Sequence, residues 1–440
     1  MQNIKMSTKR LYYDDAITRE FTAEVLNCEP ASAAASETAA APLRSPAALG
    51  VAAGLRGAGQ SEPLGNALWH VKLDRTAFYP TSGGQPHDTG RLGDARVVDV
   101  LDEEDDEVIH IVDKPIAIGA VKGIIDWDRR FDHMQQHTGQ HVLSAVFHSR
   151  FALTTVSFHL GSDGCTIDVR GREPTQEILD SAMTAANEVV YADRAVNVKY
   201  GSAEELAAAG VRKTVERGGT LRAIEIESLE LQPCGGTHVQ RTGQIGMIFV
   251  CGVSRIRQDW RVEFACGRRA ERLAREDFAT LRAVAQRLNC SPQEAVAAAE
   301  RVVAEREAHF KNARASVQKL AEMDARAYMQ EVQVGTDGLR VVAKLFAGEP
   351  PEYVQSFARE VAQAENTVAL LVQIESGQIF FSQHPSAKKD MNALLAEALK
   401  HVPGKGGGSR DSARGRLAEP QNALEFLVTS TALLRPNLSS

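Results

Sequence analysis

The 440-residue sequence lacks the features that mark several broad classes of protein. Lys and Arg (50 residues) do not outnumber Asp and Glu (57), and the formal charge of −7 argues against a protein that coats nucleic acid nonspecifically. No stretch approaches the ~20 strongly apolar residues of a membrane span, and the first residues do not form the apolar core of a signal peptide. These absences predict a cytoplasmic protein with no membrane partner, in which any RNA contact must be local.

Cysteine is also scarce. The six cysteines are scattered along the chain, without the dense and even spacing of a disulfide framework. This distribution favours a reducing compartment in which no thiol needs to be paired. The hydrophobic fraction of 43% nevertheless supports folded cores, and the length allows about two to four domains.

The first part of the chain, residues 1–125, contains short strands bounded by Gly, Asp or Pro, which predict a small antiparallel β-barrel. Its first strand-like segment is LYYDD, from residue 11. An Ala-, Ser-, Gly- and Pro-rich stretch (29–62) interrupts the pattern and predicts a disordered insertion. A helix is the alternative for that stretch, and several prolines disfavour it.

The remaining chain predicts three further parts, so that the fold class is α+β. Residues 126–267 combine helical periodicity with alternating strands, as in an α+β domain. Residues 268–335 have almost no turn signals except at residue 291, where two helices meet. Residues 336–440 return to an α/β pattern with a glycine-rich loop and predict a separate C-terminal domain. In the second helix, apolar side chains recur every seven residues, which predicts a helical hairpin or a coiled-coil dimer: Val296, Val303, Phe310 and Val317.

The sequence HTGQH places two imidazoles, those of His137 and His141, four residues apart. On a helix this spacing puts both on one face, about one turn apart, where they can share a metal ion. Two ordinary histidines, one in the core and one on the surface, are the alternative for a single HxxxH pair.

A second pair, Cys234 and His238 in CGGTH, supplies a thiolate and an imidazole at the same spacing on a glycine turn. Together the two pairs form a tetrahedral ligand set for one zinc ion per chain. The pairs are far apart in sequence, unlike the local ligands of a zinc finger, so we expect a site closed between two elements of a folded domain.

The number of ligands leaves the role of the zinc open. Four protein ligands normally indicate structural zinc, whereas hydrolytic zinc keeps one position open for water. Either one ligand is displaced during turnover, or the zinc positions the substrate amino group while another group activates water. HTGQH lacks the glutamate after its first histidine that serves as the base in zincin peptidases, and the sequence assigns no general base.

Three segments in order resemble the AlaX family, the stand-alone relatives of the editing domain of alanyl-tRNA synthetase: TAFYPTSGGQPHDTG (76–90), IDWDRRFDHMQQHTGQHVLSAVF (125–147) and PCGGTHV (233–239). The resemblance implies a zinc-dependent deacylase that cleaves the ester of Ser-tRNA(Ala) and spares Ala-tRNA(Ala). It leaves open whether Gly-tRNA(Ala) is also a substrate. It assigns zinc ligation to the two pairs described above.

Five further polar residues are predicted around this site from the resemblance. Gln85, Gln136 and Gln140 are predicted to contact the terminal adenosine or the reacting ester, with roles in a turn or on a helix surface as the alternative. Thr155 and Ser157, on the strand TTVSFHLG, are predicted to recognise the seryl hydroxyl. Strand alternation leaves open that one of these two is an ordinary sheet residue.

The segment GKGGGSRDSARG (404–415) resembles the glycine-rich C-terminal domain of the same synthetases and of long AlaX proteins. The resemblance implies contacts with tRNA(Ala) and a homodimer formed through the coiled coil and this domain. The segment does not match a phosphate-binding GxxxxGK[ST] loop, so ATP use is not indicated. Pro403 stands where the family has glycine, which favours a second hypothesis, a zinc-stabilised tRNA-binding protein without turnover. The predicted tRNA-binding residues are Lys405, Gly406, Gly407, Gly408 and Arg410.

Overall fold

The computed structural model describes residues 7–31, 67–103, 106–162, 164–211 and 219–435, and divides into two compact units, 1–280 and 281–440. It confirms a mixed α+β fold with an N-terminal barrel. Among the described residues, no helix combines the length and the apolar character that a membrane span requires. Within the predicted insertion 29–62, Glu29 and Pro30 instead form the end of a strand of the barrel. Its residues from 32 onward lie outside the described residues.

The barrel has six strands in the closed order β2-β3-β7-β6-β5-β8, and a short parallel pair, β1 with β4, lies beside it. Apolar side chains alternate along β2, so that Phe21, Ala23 and Val25 are buried in the barrel core. The strands are β1 (Lys9–Arg10), β2 (Glu20–Pro30), β3 (Trp69–Leu73), β4 (Arg75–Thr76), β5 (Gly90–Leu92), β6 (Ala95–Asp102), β7 (Val108–Val112) and β8 (Gly119–Ile125).

The LYYDD segment differs from the strand predicted there. Leu11–Tyr13 form a 3-10 helix, in which Tyr12 is buried and packs edge-on against Tyr79. Burial of this aromatic ring outweighs the local β propensity of the segment.

The rest of the first unit packs helices against two sheets, with strand orders β14-β15-β10-β9 and β11-β12-β13. Helix α1 (Trp127–Phe151) begins at Asp126, whose carboxylate accepts a hydrogen bond from the backbone of Arg129, and ends at Ala152 in the left-handed conformation. The remaining elements are β9 (Thr154–Leu160), β10 (Cys165–Arg170), α2 (Gln176–Tyr191), β11 (Val196–Gly201), α3 (Ala203–Ala208), β12 (Leu221–Ile226), β13 (Glu230–Pro233), β14 (Ile248–Ile256), β15 (Asp259–Cys266) and α4 (Gly267–Arg287).

The second unit begins near the end of α4 and contains the long helix α5 (Ala295–Glu331). The predicted capping box is present, since Ser291 and Glu294 exchange side-chain and backbone hydrogen bonds just before α5. Along the first half of α5, the apolar side chains at seven-residue spacing are exposed within this chain. The exposed fractions are 71% for Val296, 54% for Val303 and 73% for Phe310.

A five-stranded sheet with the order β16-β17-β18-β20-β19 completes the second unit. Only β16 and β17 are parallel, and helices cover both faces of the sheet. The elements are β16 (Arg340–Phe346), α6 (Pro351–Val361), β17 (Thr367–Gln373), β18 (Gln378–Gln383), α7 (Met391–His401), β19 (Gly404–Gly408), β20 (Ser412–Leu417) and α8 (Ala423–Leu434).

The glycine-rich segment was expected as a loop, and this expectation is wrong. It forms an antiparallel hairpin, with Gly406 opposite Gly415 and a turn at residues 409–411. A Cβ at Gly406 would lie 2.6 Å from the carbonyl oxygen of Arg414, and one at Gly408 would lie 2.3 Å from that of Ser412. The glycines therefore permit the close approach of the two strands rather than a flexible loop.

Candidate metal centre

A buried ion pair attaches the barrel to helix α1. Arg130 is fully buried, and its Nε donates to both carboxylate oxygens of Asp88 at 3.0 Å. The same guanidinium donates to the carbonyl oxygens of Ala16 and Ala77. Asp88 also accepts a hydrogen bond from the backbone of Tyr79 at 2.6 Å. This network fixes the start of α1 against the barrel, and with it the histidines two and three turns further along the helix.

The other half of the site is the turn that follows β13. Cys234 and His238 lie on this turn, and its glycines permit a close approach to α1. A Cβ at Gly236 would lie 2.1 Å from Cε1 of His137, so only glycine fits there.

The four predicted ligands converge. The donor atoms of His137, His141, Cys234 and His238 all lie within 4.8 Å of one another. The Sγ atom of Cys234 lies 3.5 Å from Nε2 of His137 and 3.3 Å from Nε2 of His238. One thiolate and three imidazoles form a donor set suited to a tetrahedral ion such as zinc, so the residues fit the metal that the sequence predicts.

In all three histidines of the cluster, a hydrogen bond at Nδ1 leaves Nε2 available to bind a metal ion. Nδ1 of His137 lies 2.9 Å from Oε1 of Gln85, and Nδ1 of His141 lies 3.0 Å from a carboxylate oxygen of Glu230. An amide oxygen and a carboxylate oxygen both act as acceptors, so each Nδ1 donates and each Nε2 keeps its lone pair.

His238 is held in the same tautomer by Thr138. The Thr138 hydroxyl donates to the carbonyl oxygen of Met134 at 2.8 Å, so its oxygen accepts from Nδ1 of His238 at 3.2 Å. Such outer-shell partners fix ring orientation and raise ligand basicity at metal sites. The three acceptors therefore organise the imidazoles for a metal ion.

The protonation states agree with this arrangement. Burial lowers the pKa of His238 to about 3, so its ring is neutral near pH 7. Burial opposes ionisation of the Cys234 thiol, but its interaction with the adjacent His137 lowers its pKa well below the ordinary value. Neutral imidazoles and a thiolate are the ligand forms that bind metal.

Glu230→Gln is expected to weaken metal binding by about 10–100-fold, because an amide cannot replace the charge of the carboxylate that orients His141. The measurement is zinc affinity in competition with a chelator. Glu225→Gln on β12 is a matched control, because Glu225 lies on the neighbouring strand and its carboxylate pairs with Lys199 and Asn197 instead. Equal zinc affinities in the two variants would contradict this role of Glu230.

Two of the predicted glutamines are buried and hydrogen-bonded to the protein. Gln85 accepts from His137 and donates to the Thr237 hydroxyl at 2.8 Å, which places it behind a predicted ligand. Gln136 accepts from the backbone N–H of Cys266 at 2.7 Å and donates to the carbonyl oxygen of the same residue at 3.0 Å. A contact of either glutamine with the ester stays a prediction.

The other polar residues separate into two groups. Gln140 and Thr155 both donate to the Ser144 hydroxyl, at 2.9 and 2.8 Å, and form a polar row between α1 and β9. Ser157 is exposed and donates instead to Asp168 at 2.7 Å. The register between β9 and β10 skips Val156, which interrupts the alternation between Thr155 and Ser157.

Sequence reasoning missed Glu230, Thr138 and Ser144. Thr138 lies inside HTGQH, and Ser144 follows Gln140 by one helical turn, so helical spacing could have indicated Ser144. Glu230 had no such signal, because its contact with His141 joins β13 to α1.

Comparison with known proteins gives relatives that cover most of the chain. Residues 221–261 match the family model of the threonyl and alanyl tRNA synthetase second additional domain. The alanyl-tRNA editing protein AlaX-L of Pyrococcus horikoshii is 31% identical over 81% of this chain and 90% of its own length. The alanyl-tRNA editing protein Aarsd1 of Mus musculus is 26% identical over 94% of this chain and 97% of its own length.

A longer protein is also similar. The alanine–tRNA ligase of Pyrococcus abyssi is 29% identical over 97% of this chain, which corresponds to 44% of the ligase. The similarity to the two editing proteins extends over nearly their full length, whereas the similarity to the ligase covers less than half of it.

Proposed function

Because the chain belongs to the AlaX family of alanyl-tRNA editing proteins, we propose that it hydrolyses the aminoacyl ester of tRNA(Ala) mischarged with serine and spares Ala-tRNA(Ala). The observation that carries the proposal is the convergence of one thiolate and three imidazoles, each ring held by a separate acceptor. His137, His141, Cys234 and His238 would hold one zinc ion per chain. Zinc bound there would supply Lewis-acid chemistry for ester hydrolysis.

Serine is only slightly larger than alanine, so an aminoacylation pocket rejects it poorly and a second hydrolytic site must improve the discrimination. A site that binds a hydroxyl group can do so, because its polar partner would be left unpaired by alanine. The row of Gln140, Ser144 and Thr155 offers such partners, and Gln140 precedes His141 in the sequence. We propose that Thr155 and Gln140 take part in recognising the seryl group, and that Ser157, which faces Asp168, does not.

The test is the parallel incubation of the protein with Ser-, Gly- and Ala-tRNA(Ala), following loss of each ester. The proposal expects rapid loss of the seryl ester and a stable alanyl ester, and the rate for the glycyl ester defines the substrate range. Equal loss of the seryl and alanyl esters would contradict selective editing.

The second candidate is a zinc-stabilised tRNA-binding protein without turnover. The presence of four protein ligands in one cluster favours it, because structural zinc sites are closed. This candidate expects the protein to bind tRNA(Ala) and to leave every ester intact.

The hairpin β19–β20 is the proposed tRNA contact of the second unit. Lys405 and Arg410 are exposed on it, and Gly406, Gly407 and Gly408 allow a phosphate backbone to approach closely. Replacing both Lys405 and Arg410 by glutamine is expected to weaken tRNA binding and to reduce its salt dependence by about one unit of log–log slope for each charge removed. Lys311→Gln on α5 is the control, and an unchanged slope in the double variant would contradict the contact.

We also propose that two chains associate through the exposed apolar side chains of α5. Phe310→Asp is expected to convert a dimer to a monomer, because it replaces the most exposed apolar side chain of the seven-residue repeat by a charge. Light scattering gives the mass directly. A wild-type mass equal to one chain would contradict the dimer and leave the helical hairpin as the alternative.

A further inference from the structure

One arginine outside the predicted ligand set donates hydrogen bonds to the backbone of the turn that carries Cys234 and His238. Arg222 lies on β12, and its Nη1 donates to the carbonyl oxygens of Cys234 at 2.6 Å and of Gly236 at 3.1 Å. Its own carbonyl oxygen accepts from the backbone N–H of Cys234 at 3.2 Å. Arg222 and Cys234 are therefore joined twice, once through the strand and once through the guanidinium.

The same guanidinium reaches the N-terminal segment of the chain. Its Nε donates to the carbonyl oxygen of Tyr13 at 3.1 Å, and its carbon lies 5.4 Å from the centre of the Tyr13 ring. Three carbonyl oxygens from two distant segments thus converge on one side chain. A planar guanidinium can donate in several fixed directions at once, which a single ammonium group cannot reproduce.

The held turn controls where the thiolate lies. With the carbonyl oxygens of Cys234 and Gly236 bound to Arg222, the N–H of Gly236 points to Sγ of Cys234 at 3.4 Å. The next N–H, that of Thr237, donates to Gln85 at 3.1 Å, and Gln85 also orients His137. The turn therefore connects the Cys234 thiolate to Gln85, the residue that orients the imidazole of His137.

We propose that Arg222 is a positioning residue for the metal centre, which presents the Cys234 thiolate by fixing the carbonyl groups on both sides of the turn. The proposal rests on the proposed metal ligation by Cys234 and not on the substrate. Loss of the guanidinium frees the turn to rotate and adds no new group to the site. Cys234 would then be the first of the four residues to lose its place around a bound ion.

The experiment compares Arg222→Gln with Arg194→Gln, each loaded with Co²⁺ in place of zinc. Arg194 is a matched control, because its guanidinium also donates to two backbone carbonyl oxygens, those of Glu227 and Ser228, in the turn between β12 and β13. The readouts are the intensity of the thiolate-to-cobalt absorption band and the rate at which a chelator removes the ion. Neither readout depends on tRNA, so failure of the proposed function would not affect them.

Arg222→Gln is expected to weaken the thiolate band and to release the ion at least about 10-fold faster than Arg194→Gln does. A band and a release rate equal to those of Arg194→Gln would overturn the proposal. If Arg222→Gln does not fold, Arg222→Lys is tested instead. Lysine keeps the positive charge but cannot donate in several fixed directions, as the guanidinium does. Faster release from Arg222→Lys with an unchanged melting temperature supports the positioning role, and release at the wild-type rate overturns it.

Discussion

Replacing Cys234 by alanine is expected to abolish both metal binding and hydrolysis of the seryl ester. Cys234 supplies the only thiolate in the cluster, and its Sγ lies close to Nε2 of two of the three imidazoles. Loss of a ligand should cost more than the ~10–100-fold that loss of an outer-shell partner costs. The measurement pairs zinc content by atomic absorption with the rate of seryl ester loss. His141→Ala is expected to give the same result.

Cys251→Ala is the control for this prediction, because Cys251 is exposed on β14 and is not part of the cluster. It should keep both zinc and activity. A Cys234→Ala protein that lacks zinc but hydrolyses the ester at the wild-type rate would show that the chemistry does not use this centre.

The second large effect concerns stability rather than chemistry. Asp88→Ala is expected to lower the free energy of unfolding by about 3–5 kcal/mol, because it leaves the Arg130 charge buried without its partner. Both side chains of this pair are fully buried, and the pair joins the barrel to α1. Urea unfolding followed by circular dichroism measures the change in the first unit.

The control for the buried pair is Asp128→Ala. Asp128 pairs with Arg268 at 3.3 Å, but the two side chains are 84% and 80% exposed. Water screens such a pair, so the free energy of unfolding should change little. A similarly small change in the free energy of unfolding for Asp88→Ala would contradict this account. It would mean that other groups stabilise the buried Arg130 charge and that the pair is not the main connection between the barrel and α1.

The sequence predicted the four residues of the candidate metal centre because each pair is local. His137 and His141 lie one helical turn apart, and Cys234 and His238 lie on one glycine turn, so spacing alone indicated a shared ion. The convergence of the two pairs depends on tertiary packing, which local spacing does not describe. The structure brings all four donor atoms together.

The supporting residues were harder to predict, because their contacts join segments that are distant in sequence. Gln85 was predicted as a substrate contact but reaches His137 from the barrel, and Glu230 reaches His141 from β13. Thr155 and Ser157 share one face under strict alternation, whereas the skipped Val156 interrupts it. A one-residue irregularity of this kind leaves no periodic signal.

The glycine-rich segment shows a different limit of prediction from sequence. Glycine clusters usually indicate loops, so GKGGG was expected as one. In the structure these glycines lie in β19 and pair with β20, where larger side chains would meet the opposite backbone. The sequence shows that this segment has few side chains. It does not show that the segment is a strand whose close pairing requires their absence.

The most direct test of the central claim is the rate of Ser-tRNA(Ala) hydrolysis before chelation, after chelation and after zinc is added back. We expect hydrolysis by the wild-type protein to stop when zinc is removed and to return when zinc is restored. Cys234→Ala should stay inactive at every step. Hydrolysis that continues at the same rate in the metal-free protein would contradict the assignment of editing to the centre formed by His137, His141, Cys234 and His238.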